Sequence, residues 1–191
     1  MSRKSPVYIR QFLADRDVGA LLPTQRYVIR RLIRSLDPSR ISTIVELGPG
    51  PGVATRPVLE VLPQTARYFA IEKNPAFLGA LDSIADPRLE VIRGDARFVT
   101  ELLASRGVTS VDAVIASLPF TFLTNPERAA IVDSVYSLLS DGGRFVIFHQ
   151  FSRLMKPFVR ERFEHVDVRF ILRNVFPCFV LTGRKNASGG A

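Results

Sequence analysis

Three alternate glycines occupy a short loop between two patterned segments of this 191-residue chain. Residues 44–55 run from a buried-strand pattern through Gly48, Gly50 and Gly52 into a helical pattern. Glycine is needed where a turn has unusual backbone angles or where the backbone must approach a ligand closely. A nicotinamide-binding loop follows G-x-G-x-x-G, which would place glycine at Val53, so this loop indicates a different ligand. The alternative is a turn with a structural role only.

Two carboxylates follow the next two strand patterns. Glu72 comes twenty residues after Gly52, and Asp95 follows Arg93-Gly94. A carboxylate at the end of the second strand can accept both ribose hydroxyls of an adenosine. The alternatives are a solvated strand end for Glu72 and a helix N-cap for Asp95. Because open α/β sheets bind ligands at the carboxyl ends of their strands, the glycine loop and both acids predict one adenosine site there.

The elements that position these residues alternate between strand-like apolar runs and helical patterns, which predicts an α/β sheet wrapped by helices. The last two strand patterns have only a short link, so we expect an antiparallel pair at the sheet edge. This is the seven-stranded, mostly parallel Rossmann-like topology, preceded by an N-terminal helical extension. The predicted strands are 43–47, 68–71, 89–92, 113–116, 144–148, 166–172 and 176–181.

Two helices carry clear start signals. Asn74-Pro75 offers an N-cap followed by proline at the first helical position. Thr124 and Glu127 have the spacing of a capping box, which predicts a helix to about Leu139. Residues 141–143, Asp-Gly-Gly, are expected to end that helix and turn the chain into the next strand.

The glycine loop, E-x-G-x-G-x-G, resembles motif I of class I S-adenosylmethionine-dependent methyltransferases. In that family the strand-end acid, here Glu46, helps hold the methionine portion of the cofactor. Gly94-Asp95-Ala96 resembles the family's G-D-A element, whose acid lies near the adenine amino group. The resemblance implies S-adenosylmethionine as cofactor and S-adenosylhomocysteine as product. It implies these cofactor-binding residues: Glu46, Gly48, Gly50, Gly52, Glu72, Lys73, Asp95, Ala96, Ser117 and Leu118.

Residues 117–120, Ser-Leu-Pro-Phe, resemble the N/D/S-P-P-Y/F element of amino-methylating enzymes, whose backbone carbonyls and aromatic ring hold the target nitrogen. Leu118 replaces the first proline, which disfavours a base-flipping nucleic-acid methylase without excluding it. Over nearly all its length the chain resembles bacterial phospholipid N-methyltransferases, which convert phosphatidylethanolamine stepwise to phosphatidylcholine. That similarity includes residues 18–23, 46–52, 117–120 and 149–151. The chain is also similar to the rRNA adenine dimethylases, which share the glycine loop.

A primary ammonium must lose a proton before its lone pair can attack a methyl group. Candidate proton acceptors are His149, Tyr27, Tyr136 or a bound water, and an imidazole titrates in the suitable range. A merely hydrogen-bonding role for His149 is the alternative. A methylated headgroup is a bulky cation suited to aromatic faces, so we expect a cage from Tyr27, Phe120, Phe122 and Phe151. The predicted catalytic set is Tyr27, Ser117, Pro119, Phe120 and His149.

The net charge of +8 calls for an anionic partner, and residues 1–40 carry +6 of it. The mean hydropathy is slightly positive, which favours an anionic membrane surface over nucleic acid. Residues 6–22 are predicted to form an amphipathic helix that contacts the membrane, caps the cofactor cleft, or does both. A second basic patch, a lipid-phosphate site or simply a solvated face, comprises Arg153, Lys156, Arg160 and Arg162.

The expected organisation is an N-terminal cap and membrane contact in residues 1–40, a methyltransferase core in 41–185 and a disordered tail in 186–191. The single cysteine, Cys178, excludes an intrachain disulfide and any CxxC motif, and we expect no metal site. No apolar run of about 18 residues or secretory signal is present, which predicts a cytoplasmic protein associated peripherally with the inner membrane face.

The sequence therefore predicts an S-adenosylmethionine-dependent methyltransferase acting on phosphatidylethanolamine at the membrane. An RNA methylase resembling the rRNA adenine N6-dimethyltransferases is the main alternative. A small-molecule methylase and a binding protein with an inactive fold are the others, although the intact cofactor set argues against the last.

Overall fold

The computed structural model describes residues 25–150, 153–171 and 178–186. They form one seven-stranded sheet with helices on both faces, which confirms the predicted Rossmann-like α/β fold. Residues 1–24 of the predicted N-terminal extension (1–40) and residues 187–191 of the predicted tail (186–191) lie outside the described residues. The strands are β1 (Thr43–Leu47), β2 (Arg67–Glu72), β3 (Leu89–Arg93), β4 (Val111–Ala116), β5 (Leu139–Gln150), β6 (His165–Ile171) and β7 (Cys178–Arg184).

The strand order is β3-β2-β1-β4-β5-β7-β6. Strands β1 to β5 pair in parallel, and β7 runs antiparallel to both of its neighbours. Six residues, 172–177, join β6 to β7, which is too short for a parallel crossover. The antiparallel edge pair is therefore confirmed. The structure also shows that β7 lies between β5 and β6, so β6, although earlier in the sequence, is the strand at the edge of the sheet.

Helices cover both faces of the sheet. Since successive side chains of a strand point to opposite faces, each face has its own core. In β1, Val45 and Leu47 face one core and Ile44 faces the other, all with no exposed surface. The helices are α1 (Gln25–Leu36), α2 (Thr55–Val61), α3 (Pro75–Asp82), α4 (Val99–Ala104), α5 (Asn125–Leu138) and α6 (Lys156–Arg162). The first core includes side chains of α4, α5 and α6, and the second includes those of α1 and α2.

Both predicted helix starts are confirmed. The Asn74 side chain accepts a hydrogen bond from the Ala76 N–H at the start of α3, with Pro75 at the first helical position. At the start of α5, Thr124 and Glu127 form a complete capping box. Helix α5 ends at Leu138, and β5 begins at once rather than after the Asp-Gly-Gly turn, because Leu139 pairs with Val111 before the register shifts.

Helix α1 belongs to the core of the domain. Its Leu32 and Leu36 are buried, and Arg31 forms an ion pair with Asp167 of β6 at 2.9 Å. Arg144 of β5 donates to the Ser35 carbonyl oxygen at 3.0 Å, just before the helix ends. The predicted division at residue 40 therefore separates segments that pack together. None of the helices within the described residues is long and apolar enough to cross a membrane.

Candidate cofactor and active site

Hydrogen bonds join the segments that follow the carboxyl ends of β3, β2, β1 and β4, where the sequence predicted a ligand site. Backbone hydrogen bonds continue past the strand ends, from Gly48 N–H to the Ile71 carbonyl, from Ser117 N–H to the Leu47 carbonyl and from Gly94 N–H to the Glu72 carbonyl, each at 3.0 Å. These bonds place the glycine loop after β1 between the segments that follow β2 and β4. The predicted cofactor residues thus converge on one edge of the sheet.

The glycine loop has left-handed backbone at all three predicted positions. The φ angles are 71° at Gly48, 57° at Gly50 and 85° at Gly52, a region that non-glycine residues rarely adopt. A Cβ atom at Gly48 would lie 2.8 Å from a methyl group of Leu118, so the loop packs closely against the segment after β4. A Cβ atom at Gly50 would meet nothing within 4 Å. The backbone of Gly50 therefore borders open space, as a surface that receives a ligand must.

Glu72, at the end of β2, is anchored by the loop that it faces. One carboxylate oxygen accepts from the Gly50 N–H at 3.0 Å and the other from the Asn74 N–H at 2.7 Å. The side chain is nearly buried, at 7% exposure. Each carboxylate oxygen has a second lone pair. Both oxygens can therefore still accept a hydrogen bond from a hydroxyl group, which is what a ribose diol requires.

Glu46 occupies a different environment, with no exposed surface. Its Oε2 atom accepts from the hydroxyl groups of Thr55 and Tyr68, both at 2.6 Å. Its Oε1 atom has no hydrogen-bond partner within the described residues. Burial raises the pKa of the carboxyl above its usual range, although the two hydroxyl donors act in the opposite direction. The nearby Glu72 charge raises that pKa further.

Asp95, after β3, is already surrounded by donors. Its carboxylate accepts from the side chain and backbone N–H of Arg97 and from Lys73 Nζ at 2.7 Å. These donors hold the pKa of Asp95 well below its usual range, the Arg97 side chain contributing most. Asp95 also caps the short 3-10 turn Ala96–Phe98, so it has the N-cap role that was the alternative prediction. An adenine amino group would have to replace one of these donors, and Lys73, the most exposed, is the easiest to displace.

The segment after β4 contacts the glycine loop directly. The Ser117 hydroxyl donates to the Gly48 carbonyl oxygen at 2.5 Å. Pro119 precedes a 3-10 turn, Phe120–Phe122, whose first ring has no exposed surface. The Phe120 carbonyl oxygen accepts from Arg128 Nε at 2.9 Å. The predicted cage is corrected here: the ring of Phe120 belongs to the apolar core, whereas that of Phe122, 65% exposed, is open to a ligand.

The remaining predicted residues lie on other elements. Tyr27 is on the first turn of α1 and is 41% exposed. His149 is near the end of β5, where its backbone is in register with Phe179 of β7. Tyr136 stacks edge-to-face on Phe163 within the core. The predicted cage residue Phe151 and the segment 18–23 lie outside the described residues.

The second predicted basic patch is only partly free. Arg162 forms an ion pair with Asp133 of α5 at 2.5 Å, which ties α6 to α5. The Arg153 guanidinium lies over the ring of Phe179, 5.3 Å from its centroid, and that ring stacks on Phe170 at 4.7 Å. Because β6 and β5 run in the same direction, this aromatic pair lies at the same sheet edge as the end of β5. The sequence analysis did not identify Phe170 or Phe179, because phenylalanines within strand patterns are usually interpreted as core residues.

Sequence reasoning also missed Thr55 and Tyr68. Thr55 is three residues past the last glycine of the loop, and Tyr68 is the one residue of the 68–71 strand pattern with a polar group. A hydroxyl in an otherwise apolar strand was the signal, because a buried phenol needs a hydrogen-bond partner. What the sequence did not indicate was that this partner is Glu46.

These residues fit S-adenosylmethionine by the chemistry of their donors and acceptors. Glu72 offers acceptors for a diol, the open backbone of Gly50 lets a ligand approach, and Glu46 has an oxygen that accepts from no donor in the part of the chain that the structure describes. No group of three or more His, Cys, Asp or Glu side chains that could hold a metal ion occurs in residues 25–150, 153–171 and 178–186.

Comparisons with known proteins agree with this geometry. A family model described as a methyltransferase domain matches residues 44–143. The chain is 25% identical to an ornithine lipid N-methyltransferase of Singulisphaera acidiphila over 162 residues, 84% of each chain. It is 36% identical to ribosomal RNA small subunit methyltransferase A of Caulobacter vibrioides over 139 residues, 67% of this chain and 47% of that protein.

A solved structure with the same fold is the N-methyltransferase NodS from Bradyrhizobium japonicum in complex with S-adenosylhomocysteine. Its TM-score is 0.72 at 14% identity, covering 94% of this chain and 97% of that one.

Proposed function

The chain belongs to the methyltransferase domain family and uses S-adenosylmethionine, and on that premise we propose that it methylates the amine of a lipid headgroup at an anionic membrane surface. The proposed reaction is the stepwise N-methylation of phosphatidylethanolamine to phosphatidylcholine. The protein would then act while bound peripherally to the inner face of the cytoplasmic membrane.

The observation that carries this proposal is the extent of the similarity to a lipid N-methyltransferase. The matched region is 84% of both the ornithine lipid enzyme and this chain, so the similarity extends over most of each. The chain spans about half the length of the Caulobacter rRNA methyltransferase that it matches, or 47%. A shared domain in a protein twice as long is a weaker argument for a shared substrate.

The exposed face of α1 supports an anionic partner. Arg26, Arg30 and Arg34 are spaced four residues apart and exposed, so they form one stripe along the helix. Within the described residues none of these three forms an ion pair, whereas the neighbouring Arg31 is paired with Asp167. Like charges at this spacing destabilise a helix slightly. A stripe of unpaired arginines therefore suits phosphate groups, and each charge adds about 1 kcal/mol near an anionic lipid surface.

The chemical demands on the chain are positioning and deprotonation of the amine. The cofactor supplies an activated methyl group, so the protein must align the nitrogen with it and exclude water. We propose that backbone carbonyls around Ser117 and Pro119 orient the amine, because this segment packs on the glycine loop. His149, near the end of β5, is the proposed proton acceptor, with Tyr27 or a bound water as alternatives.

The methylated headgroup would need an aromatic surface at the same sheet edge. Phe122 is open to a ligand there, and Phe179 already carries a guanidinium over its face. A cation within about 6 Å of a ring centroid is attracted by the ring. Because Phe179 lies in register with His149, we propose Phe122 and Phe179 as headgroup-binding residues in place of the buried Phe120.

Methylation of rRNA adenine is the second candidate. The observations that favour it are the 36% identity to the Caulobacter rRNA enzyme and the net charge of +8, which suits a phosphate backbone. The two candidates differ in the nitrogen that receives the methyl group, and a direct assay separates them.

The test is methyl transfer from labelled S-adenosylmethionine to anionic vesicles containing phosphatidylethanolamine, to anionic vesicles containing an ornithine lipid, and to small-subunit rRNA. Anionic vesicles in which phosphatidylcholine replaces the amine lipid are the matched control, because they bind alike but offer no free amine. Label in mono-, di- and trimethylated lipid is the expected result. Label in rRNA alone would overturn the lipid proposal and leave the family assignment intact.

A further inference from the structure

A buried hydroxyl pair lies beneath the glycine loop. The Thr55 hydroxyl comes from the first residue of α2, and the Tyr68 hydroxyl comes from β2. Both donate to the same oxygen of Glu46, at 2.6 Å each, and all three side chains are completely buried. Two donors from two different elements fix the plane of the carboxylate. They also leave its other oxygen, Oε1, as the one with no partner within the described residues.

Burying the ionised Glu46 carboxylate in this way costs free energy unless a further donor binds its Oε1 atom. A buried carboxylate is stable as an anion only when it is paired and hydrogen-bonded. Within the described residues the carboxyl of Glu46 has two neutral donors on one oxygen and no cation in contact. A cationic donor that approaches Oε1 directly or through one water molecule would stabilise the anion.

We propose that Tyr68 and Thr55 are positioning residues that hold Glu46 so that Oε1 receives the ammonium group at the amino-acid end of S-adenosylmethionine. The two hydroxyls act through Glu46 and do not touch the cofactor. Their effect is to orient the carboxylate and to favour its ionised form, because hydrogen bonds to an anion stabilise it. This inference rests on cofactor binding by the family and is independent of the lipid acceptor.

The proposal has a consequence for pH. Burial raises the pKa of Glu46, so a proton on Oε1 competes with the ligand ammonium. The titratable and polar groups that face Glu46 are Tyr68 and Glu72 on β2 and Thr55 on α2. The Tyr68 phenol stays protonated, because burial and Glu46 raise its pKa well above the usual value. Removing the Tyr68 hydroxyl raises the pKa of Glu46 further, so binding of the ammonium weakens most at low pH.

The experiment compares two ligands that differ only at the amino-acid end. S-adenosylhomocysteine carries the ammonium, and 5′-methylthioadenosine has the same nucleoside without it. Calorimetry measures both affinities for the full chain and for Tyr68→Phe at about pH 6 and about pH 8. At the lower pH we expect Tyr68→Phe to bind S-adenosylhomocysteine about tenfold more weakly than the wild-type protein does. At the higher pH we expect the loss of affinity to be smaller. The affinity for 5′-methylthioadenosine is expected to change by less than about twofold.

Two further variants keep the test decisive. Tyr136→Phe also removes a phenol from the core, and it should leave the affinities of both ligands unchanged. In Glu46→Gln, which cannot ionise, a second Tyr68→Phe substitution should cause no additional ligand-selective loss. Equal losses for both ligands in Tyr68→Phe, a loss independent of pH, or no loss at all would each overturn the positioning role. Melting of the ligand-free variants separates that outcome from unfolding.

Discussion

Replacing Glu72 by alanine should abolish most cofactor affinity while the fold survives. The carboxylate would accept two ribose hydroxyls, one on each oxygen, beside the backbone donors of Gly50 and Asn74 that it already binds. A hydrogen bond to a charged group contributes about 1.5 kcal/mol or more, so losing two costs about 3 kcal/mol. That corresponds to an affinity for S-adenosylhomocysteine about 100-fold lower. Isothermal titration calorimetry measures it directly.

The same substitution also removes the acceptor of two backbone N–H groups. Part of the loss of affinity could therefore come from a loosened loop rather than from the ribose. An analogue of S-adenosylhomocysteine without the two ribose hydroxyls separates these causes. The wild-type protein should bind this analogue about 100-fold more weakly than the natural ligand, and Glu72→Ala should bind both equally.

Glu60→Ala is the matched control, because Glu60 is an exposed carboxylate on α2. It should leave the affinity unchanged, and both variants should keep wild-type binding to anionic vesicles. An affinity within about threefold of wild type for a folded Glu72→Ala protein would refute the ribose assignment. Loss of vesicle binding together with cofactor binding would show that the domain has unfolded.

Three further predictions concern the surface, the pH dependence and the loop. Neutralising three charges worth about 1 kcal/mol each should lower partitioning onto anionic vesicles about 100-fold in a flotation assay, the substitutions being Arg26→Gln, Arg30→Gln and Arg34→Gln. Asp95 has a lowered pKa in the folded state, so it stabilises the fold above its unfolded pKa of about 3.9 and ceases to do so as pH falls further. The difference in unfolding free energy between wild type and Asp95→Asn should therefore shrink below about pH 4 in denaturant titrations. Gly50→Ala should cost about 1–2 kcal/mol of stability, as Gly107→Ala should, because both residues have positive φ and open surroundings. Only Gly50→Ala should also weaken cofactor binding in calorimetry.

Each of these predictions has a result that contradicts it. Vesicle binding that stays strong in the α1 variant, or that falls equally when three exposed arginines outside α1 are replaced, would exclude the stripe as the membrane contact. That control set is Arg67→Gln, Arg93→Gln and Arg184→Gln. If the difference in unfolding free energy between wild type and Asp95→Asn stayed constant down to about pH 3, the ion pairs of Asp95 would not stabilise the fold. Equal cofactor affinities for the two glycine variants would show that the ligand does not approach Gly50.

The sequence was sufficient for whatever depends on local patterning and spacing. The glycine loop, the acids at strand ends and the two helix caps are all encoded within a few residues, and the structure places them as expected. Local patterning does not say what a side chain meets across the sheet. Phe120 follows residues 117–119, which contact the glycine loop at the proposed ligand site, yet its ring packs in the apolar core together with side chains of α5. The sequence predicted helix α1 to belong to a separate basic extension because its positive charges dominate the pattern. Its buried leucines instead pack in the core against the sheet.

The two acids of the site also explain why this glycine loop suits a cationic cofactor. A pyrophosphate would need donors or positive charge at the loop. Here the Gly50 N–H is already taken by Glu72, and a second carboxylate, Glu46, is buried below the loop beside two hydroxyls. Two acids so close together would repel a pyrophosphate, but they offset the charge of a sulfonium and an ammonium. We expect Glu72, bound by backbone N–H groups, to accept the ribose diol, and Glu46, whose Oε1 atom has no partner within the described residues, to accept the cation. On this proposal the two acids select the ligand by charge at one end and by hydroxyl geometry at the other.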